Sequence, residues 1–224
     1  MKQLTLLCLT LLLAACASEP TVQTGPDAEV IDGGLYRVDN SKVDLAYIDP
    51  DTDFSRYNRV MVDALVVDHV EIIFNQSGSA VGPKGSDFEL TDKDRADLQR
   101  IFAEVMEKNL AENGYPMVSE PGPDVLRITA ALTALEPSAP PDDPRSRGVG
   151  RTRVYTEGGG STQIKVAFTD SRSGEVLALV EDRKTSTDLW GVNNRVTNLA
   201  DVRRHFSAWA RSIREWLDSM HKGQ

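Results

Sequence analysis

Gly160-Ser161-Thr162-Gln163-Ile164-Lys165-Val166-Ala167-Phe168-Thr169-Asp170 alternates without a break. Ile164, Val166 and Phe168 fall on one side, and Gln163, Lys165 and Ala167 on the other. Successive side chains of a strand point to opposite faces, so this is a strand with one apolar and one polar face. Ser171-Arg172-Ser173-Gly174 follows as a turn, with Gly174 suited to a left-handed bulge position, and Val176 to Val180 runs back. One polar face predicts an antiparallel sheet covered on a single side.

Two segments have the pattern to supply the cover. Val202, Phe206, Trp209, Ile213, Trp216 and Met220 repeat in steps of three and four, with Arg203, Arg211 and Glu215 on the far side of the helix they define. Upstream, Thr91 is an N-cap with Asp94 in the capping-box position. Leu98, Ile101, Phe102, Val105 and Met106 follow at helical spacing, and Gly114 supplies the stop. Further strands are predicted over Arg59–Val67 and, by alternation, over Leu126 to Thr133. Val70 to Phe74 either continues the first of these past a bulge or pairs with it. Asn75–Phe88 and Pro137–Gly150 are rich in Gly and Pro and read as loops. The fold class is α+β: a two-layer, mainly antiparallel sheet with two helices covering one face. A β-sandwich is the weaker alternative, because both helices are well patterned.

The chain opens with Lys2 and a twelve-residue run, Leu4 to Ala15, that ends in Leu13-Ala14-Ala15-Cys16. The run is too short to span a bilayer, which takes about 20 apolar residues. A positive start, a short apolar segment, small residues and a cysteine outline a signal peptide (residues 1–15) closed by a lipobox, with Cys16 as the site of lipid attachment. Cleavage after Ala17 by an ordinary signal peptidase is the competing reading. Ala17, rather than Asp, follows the cysteine, and by general bacterial sorting rules this favours the outer membrane. Residues 16–32 carry Pro20, Gly25 and Pro26 and read as a flexible tether, roughly 20–25 Å end to end as a coil. Residues 33–224 are expected to form one periplasmic domain.

Loss of residues 1–15 removes one cation, Lys2, and leaves 24 basic against 34 acidic residues, a charge of −10. Such a surface repels nucleic acid and anionic headgroups, so neither is expected as a general partner. Cys8 leaves with the signal and Cys16 carries lipid, so the mature domain has no thiol for a disulfide or for catalysis.

Several stretches resemble an uncharacterised family of proteobacterial lipoproteins catalogued as domain of unknown function 3313. They are Leu45-Ala46-Tyr47-Ile48-Asp49-Pro50 with Asp53-Phe54-Ser55-Arg56-Tyr57, then Gly122-Pro123-Asp124-Val125-Leu126-Arg127 before Ala131-Leu132-Thr133. Thr169-Asp170-Ser171-Arg172-Ser173-Gly174-Glu175-Val176-Leu177-Ala178 and Phe206-Ser207-Ala208-Trp209-Ala210 complete the set. Gln163 stands where the family often has an acid. The resemblance implies location and fold; it brings no activity and no site residues.

Candidate sites are few. His69, His205 and His221 have no metal-ligand spacing, so no metal is expected, and no cofactor beyond the covalent lipid on Cys16. Gly78 to Lys84 fails the spacing of a phosphate loop. Asp49, Asp51, Asp53 and Ser55 alternate like half a calcium loop, but Phe54 and Val60 occupy the positions that need Gly and Glu, so a turn with side-chain caps is the better reading. Arg145, Arg147, Arg151 and Arg153 form the one basic cluster, suited to phosphates or an acidic partner. Trp190 is a candidate interface anchor. The expected function is a non-catalytic, membrane-anchored envelope lipoprotein, a scaffold or partner-binding module whose partners are the membrane, through its lipid, and another envelope protein. A carrier for lipid or another envelope ligand is the alternative, and an envelope hydrolase the third.

Overall fold

The computed structural model describes residues 19–31, 33–73, 90–137, 155–156, 160–186, 191–192 and 195–222. In chain order the elements are β1 (Thr21–Val22), β2 (Val30–Ile31), β3 (Leu35–Asp39), β4 (Leu45–Ile48), β5 (Arg59–Val62), β6 (Glu71–Ile72), α1 (Asp92–Leu110), β7 (Val125–Glu136), β8 (Tyr155–Thr156), β9 (Ser161–Asp170), β10 (Val176–Thr185), β11 (Gly191–Val192) and α2 (Arg195–Lys222). The main sheet runs β1-β3-β4-β10-β9-β7-β5, with β2 also on β3 and β6 also on β7; β8 and β11 pair separately.

The alternating run becomes β9, and its hairpin partner β10 is longer than the apolar stretch alone suggests, reaching Thr185. Gly174 closes the turn at a φ of +75°, a conformation that glycine adopts without steric cost. Val166 lies opposite Val180 and Lys165 opposite Glu181, so each face keeps its character across the strands. β7 extends the pattern with Ile128 opposite Phe168 and Leu132 opposite Ile164, until an irregularity between Leu132 and Ala134 shifts the register.

The other edge of β7 is parallel. β5 runs beside Val125–Ile128, Val66 bridges to Ala131, and β6 rejoins at Ala134 and Leu135. The strand expected over Arg59–Val67 therefore stops at Val62, and the next apolar piece continues the same edge instead of pairing back on it. Asp63 marks the break: its carboxylate accepts from Arg127 Nε at 2.9 Å and Thr129 Oγ1 at 2.5 Å on the polar face of the sheet. A parallel neighbour needs a crossover, and α1 provides it.

Both helices lie on the apolar face. The α1 capping box is formed: Thr91 Oγ1 accepts from the Asp94 amide, and Asp94 accepts from the Thr91 amide. Leu98, Ile101, Phe102, Val105, Met106 and Leu110 are buried, as are Val202, Phe206, Trp209 and Leu217 of α2. Phe102 and Phe206 meet edge-on at 5.4 Å, while Trp216 packs against Phe54 and Phe168 at 4.9 and 5.0 Å. The opposite, polar face carries Arg127, Lys165 and Glu181, with Lys165 Nζ 3.1 Å from Glu181.

The N-terminal expectation needs correction. Within the stretch read as a flexible tether, Thr21 and Val22 pair with Asp39 and Val38, and Val30 and Ile31 pair with Tyr36 and Leu35. Composition suggested a coil, but the side-chain amide of Gln23 fixes the segment. Its Nε2 donates to Asp39 at 2.9 Å and its Oε1 accepts from the Glu29 amide at 2.8 Å.

Candidate functional site

Titratable side chains gather at the two ends of the sheet. At the hairpin end, Asp170 closes β9. Its Oδ1 accepts from the Arg172 and Ser173 amides at 2.9 and 2.8 Å and from Ser173 Oγ at 3.2 Å. Its Oδ2 accepts from Arg56 Nη2 at 2.6 Å and from the Tyr57 hydroxyl at 2.9 Å. Burial pushes this carboxyl up, but the Ser173 amide, the Tyr57 hydroxyl and the other donors outweigh it and hold the group at about 2. Burial, above all, and the bond to Asp170 push Tyr57 up to about 12, against the bond from Arg56, which lowers it. Ser171 Oγ donates to the Gly122 carbonyl and accepts from its amide, both at 3.1 Å. Asp124 takes Arg59 in two bonds, which lower its pKa despite some desolvation. Three of the stretches that carry the family resemblance thus tie one another together here.

The acidic turn before this knot caps backbone. Asp49 accepts from the Asp51 amide at 3.0 Å and the Thr52 hydroxyl at 2.5 Å, and Asp53 from Ser55 N and Oγ at 3.0 and 2.6 Å. These are the side-chain caps expected from sequence. Among the described residues no group of three or more His, Cys, Asp or Glu side chains is arranged to hold a metal ion.

The opposite end holds a buried polar cluster beneath α2. His205 Nδ1 lies 2.9 Å from Thr162 Oγ1, and Nε2 lies 3.2 Å from Ser186 Oγ. Asp182 accepts from Trp209 Nε1 at 2.7 Å, pairs with Lys184 at 2.7 Å and accepts from the Asp44 amide at 3.2 Å. Thr162, Asp182, Asp201 and His205 are all buried. Desolvation holds His205 below its ordinary pKa; Asp201 opposes that shift, while Arg204 and Lys184 reinforce it. Asp201 itself pairs with Arg204. A neutral imidazole beside a serine hydroxyl is the first element of an acyl-transfer site. Here, however, the other ring nitrogen meets the Thr162 hydroxyl where the hydrolase template places an orienting carboxylate.

Sequence reasoning missed this cluster, although a signal was there. Ala178, Val180 and Asp182 occupy the inward positions of β10, so an acid stands where the alternation calls for an apolar residue. His221 is elsewhere, near Tyr115, whose hydroxyl donates to Asp218 at 2.9 Å. Cys16, Arg145, Arg147, Arg151, Arg153 and Trp190 lie outside the described residues.

Fold and clusters define a two-layer α+β domain, with both helices on one sheet face, whose described polar networks join its own strands, turns and helix. The chain belongs to the family described as Protein of unknown function (DUF3313), whose model matches residues 35–213, from the first residue of β3 into α2. Among solved structures it is similar to protein XCC0632 from Xanthomonas campestris, of family DUF330 (7% identity, 74% of this chain and 86% of that chain, TM-score 0.38). It is also similar to the hypothetical protein CT253 from Chlamydia trachomatis (11%, 75% and 99%, TM-score 0.36). A third is the PelC dodecamer from Paraburkholderia phytofirmans (10%, 68% and 86%, TM-score 0.33). No curated protein sequence matches significantly. No described helix is long and apolar enough to cross a membrane.

Proposed function

We propose that this chain is a lipoprotein of the bacterial cell envelope, held by acyl chains on Cys16 at the periplasmic face of the outer membrane. There it serves as a non-catalytic scaffold or partner-binding module for another envelope protein. The observation that carries this reading is Leu13-Ala14-Ala15-Cys16 at the end of a short apolar run, followed at once by a folded domain. Each buried CH₂ adds about 0.8 kcal/mol, so two or three chains make a lasting anchor. The engagement of Asp170, Asp124 and Asp182 inside the fold supports a binding body over a catalytic one.

Intact-mass analysis of the native N-terminus tests the anchor: acyl chains on Cys16 are expected, and Cys16→Ser releases the protein from the membrane fraction. An unacylated N-terminus sinks the reading. Cross-linking in intact envelopes, followed by mass spectrometry, tests the module and is expected to return a reproducible protein neighbour. The Ser186–His205 contact favours the hydrolase as the second reading. A fluorophosphonate probe that labels Ser186, and no longer does so in His205→Gln, would put it first.

A further inference from the structure

Thr21, the first strand residue among those described, lies only five residues after Cys16. A chain reaches at most ~3.6 Å per residue, so Thr21 stands no more than about 18 Å from the cysteine. Thr21 faces Asp39, the last residue of β3, and so joins the sheet beside the turn formed by residues 40–44. That turn is tied to the C-terminal end of β10, since the Arg183 amide donates to Asp44 at 3.0 Å and the Asp44 amide to Asp182 at 3.2 Å. The hairpin turn 171–174 sits at the opposite end of β10, roughly 20 Å from Asp182 along the strand at ~3.3 Å per residue.

We infer that the end of the sheet made by Thr21, residues 40–44 and the C-terminal end of β10 abuts the phospholipid surface and holds the hairpin end outward. This rests on the anchor at Cys16 proposed above. The length of the leash and the place where it joins the sheet select the bilayer as the occupant of this end. Gln23 keeps the leash short, because its bonds to Asp39 and Glu29 and its amide bond to the Arg37 carbonyl at 2.8 Å hold β1 in place.

The test uses the full lipidated chain in vesicles of phosphatidylethanolamine and phosphatidylglycerol that contain a nitroxide-labelled quencher lipid. The sequence holds only Cys8, in the leader, and Cys16, so Lys42→Cys and Arg172→Cys each give a single site for a fluorophore. Quenching at position 42 is expected to exceed that at 172 several-fold, and Gln23→Ala, by lengthening the leash, is expected to shrink the difference. Equal quenching, or more at 172, overturns the inference, as does a contrast that Gln23→Ala leaves untouched. Mass analysis of the same sample separates the two readings: an unacylated Cys16 removes both, while an acylated Cys16 without the contrast removes this one alone.

Discussion

Asp170 accepts hydrogen bonds from Arg56, Tyr57, the Arg172 amide and both the amide and the hydroxyl of Ser173. Bonds to a charged group are worth about 1.5–3 kcal/mol each in favourable cases, and they are not additive. Asp170→Asn is expected to lose about 2 kcal/mol of stability in urea unfolding at pH 7. The acid dependence follows from the depressed pKa. The contribution is complete above the unfolded value of ~3.9 and disappears as pH falls through about 2, so the variant lacks that acid limb. His205 is lowered as well, chiefly by desolvation, so it favours folding fully above its ordinary value of about 6.5 and loses that contribution below it. His205→Phe leaves the Thr162 hydroxyl, only 1% exposed, without its imidazole partner. It is expected to cost about 1–3 kcal/mol and to flatten the change in melting temperature between pH 7.5 and 5.5. Contacts of this kind are hard to read from sequence: Arg56 and Asp170 are 114 residues apart, and nothing local announces the pair. Asp182 is different, because an acid in an inward position of a strand betrays itself.

Among the elements, α1 was legible almost residue by residue, since Thr91, Asp94 and the apolar spacing are local signals. Thr91→Ala is expected to cost about 1 kcal/mol in thermal or urea unfolding, and Thr91→Ser to recover most of it. The β9–β10 hairpin was equally readable from alternation and Gly174. The parallel pairing of β5 and β6 with β7 was not, because alternation fixes which face a side chain takes but not the direction of the neighbouring strand. Gly122 carries a constraint of its own. A Cβ there would stand 3.0 Å from both Arg59 Nη2 and Val125 Cγ2. Gly122→Ala is therefore expected to lower stability by about 1 kcal/mol, an effect that Arg59→Ala, by removing one of the two nearest obstacles, should partly relieve in a double-mutant cycle.

For the whole molecule, the mainly antiparallel sheet and the two helices on its apolar face follow from the binary pattern, as the sequence implied. The tether did not, because Gly and Pro in residues 19–31 masked a segment that one glutamine binds to β3. Sheet order adds something else. β10 joins β4 on one side and β9 on the other, and so links the N-terminal meander to the rest. Ile48 and Ala178 are neighbours across that seam, although roughly 130 residues of chain separate them, the kind of non-local contact that slows folding. A polypeptide threaded through a translocon amino end first would present β3 and β4 long before their partner arrived. Until the last quarter of the chain has emerged, that front portion would carry an unpaired edge, the kind of exposed strand that makes a folding intermediate prone to aggregation.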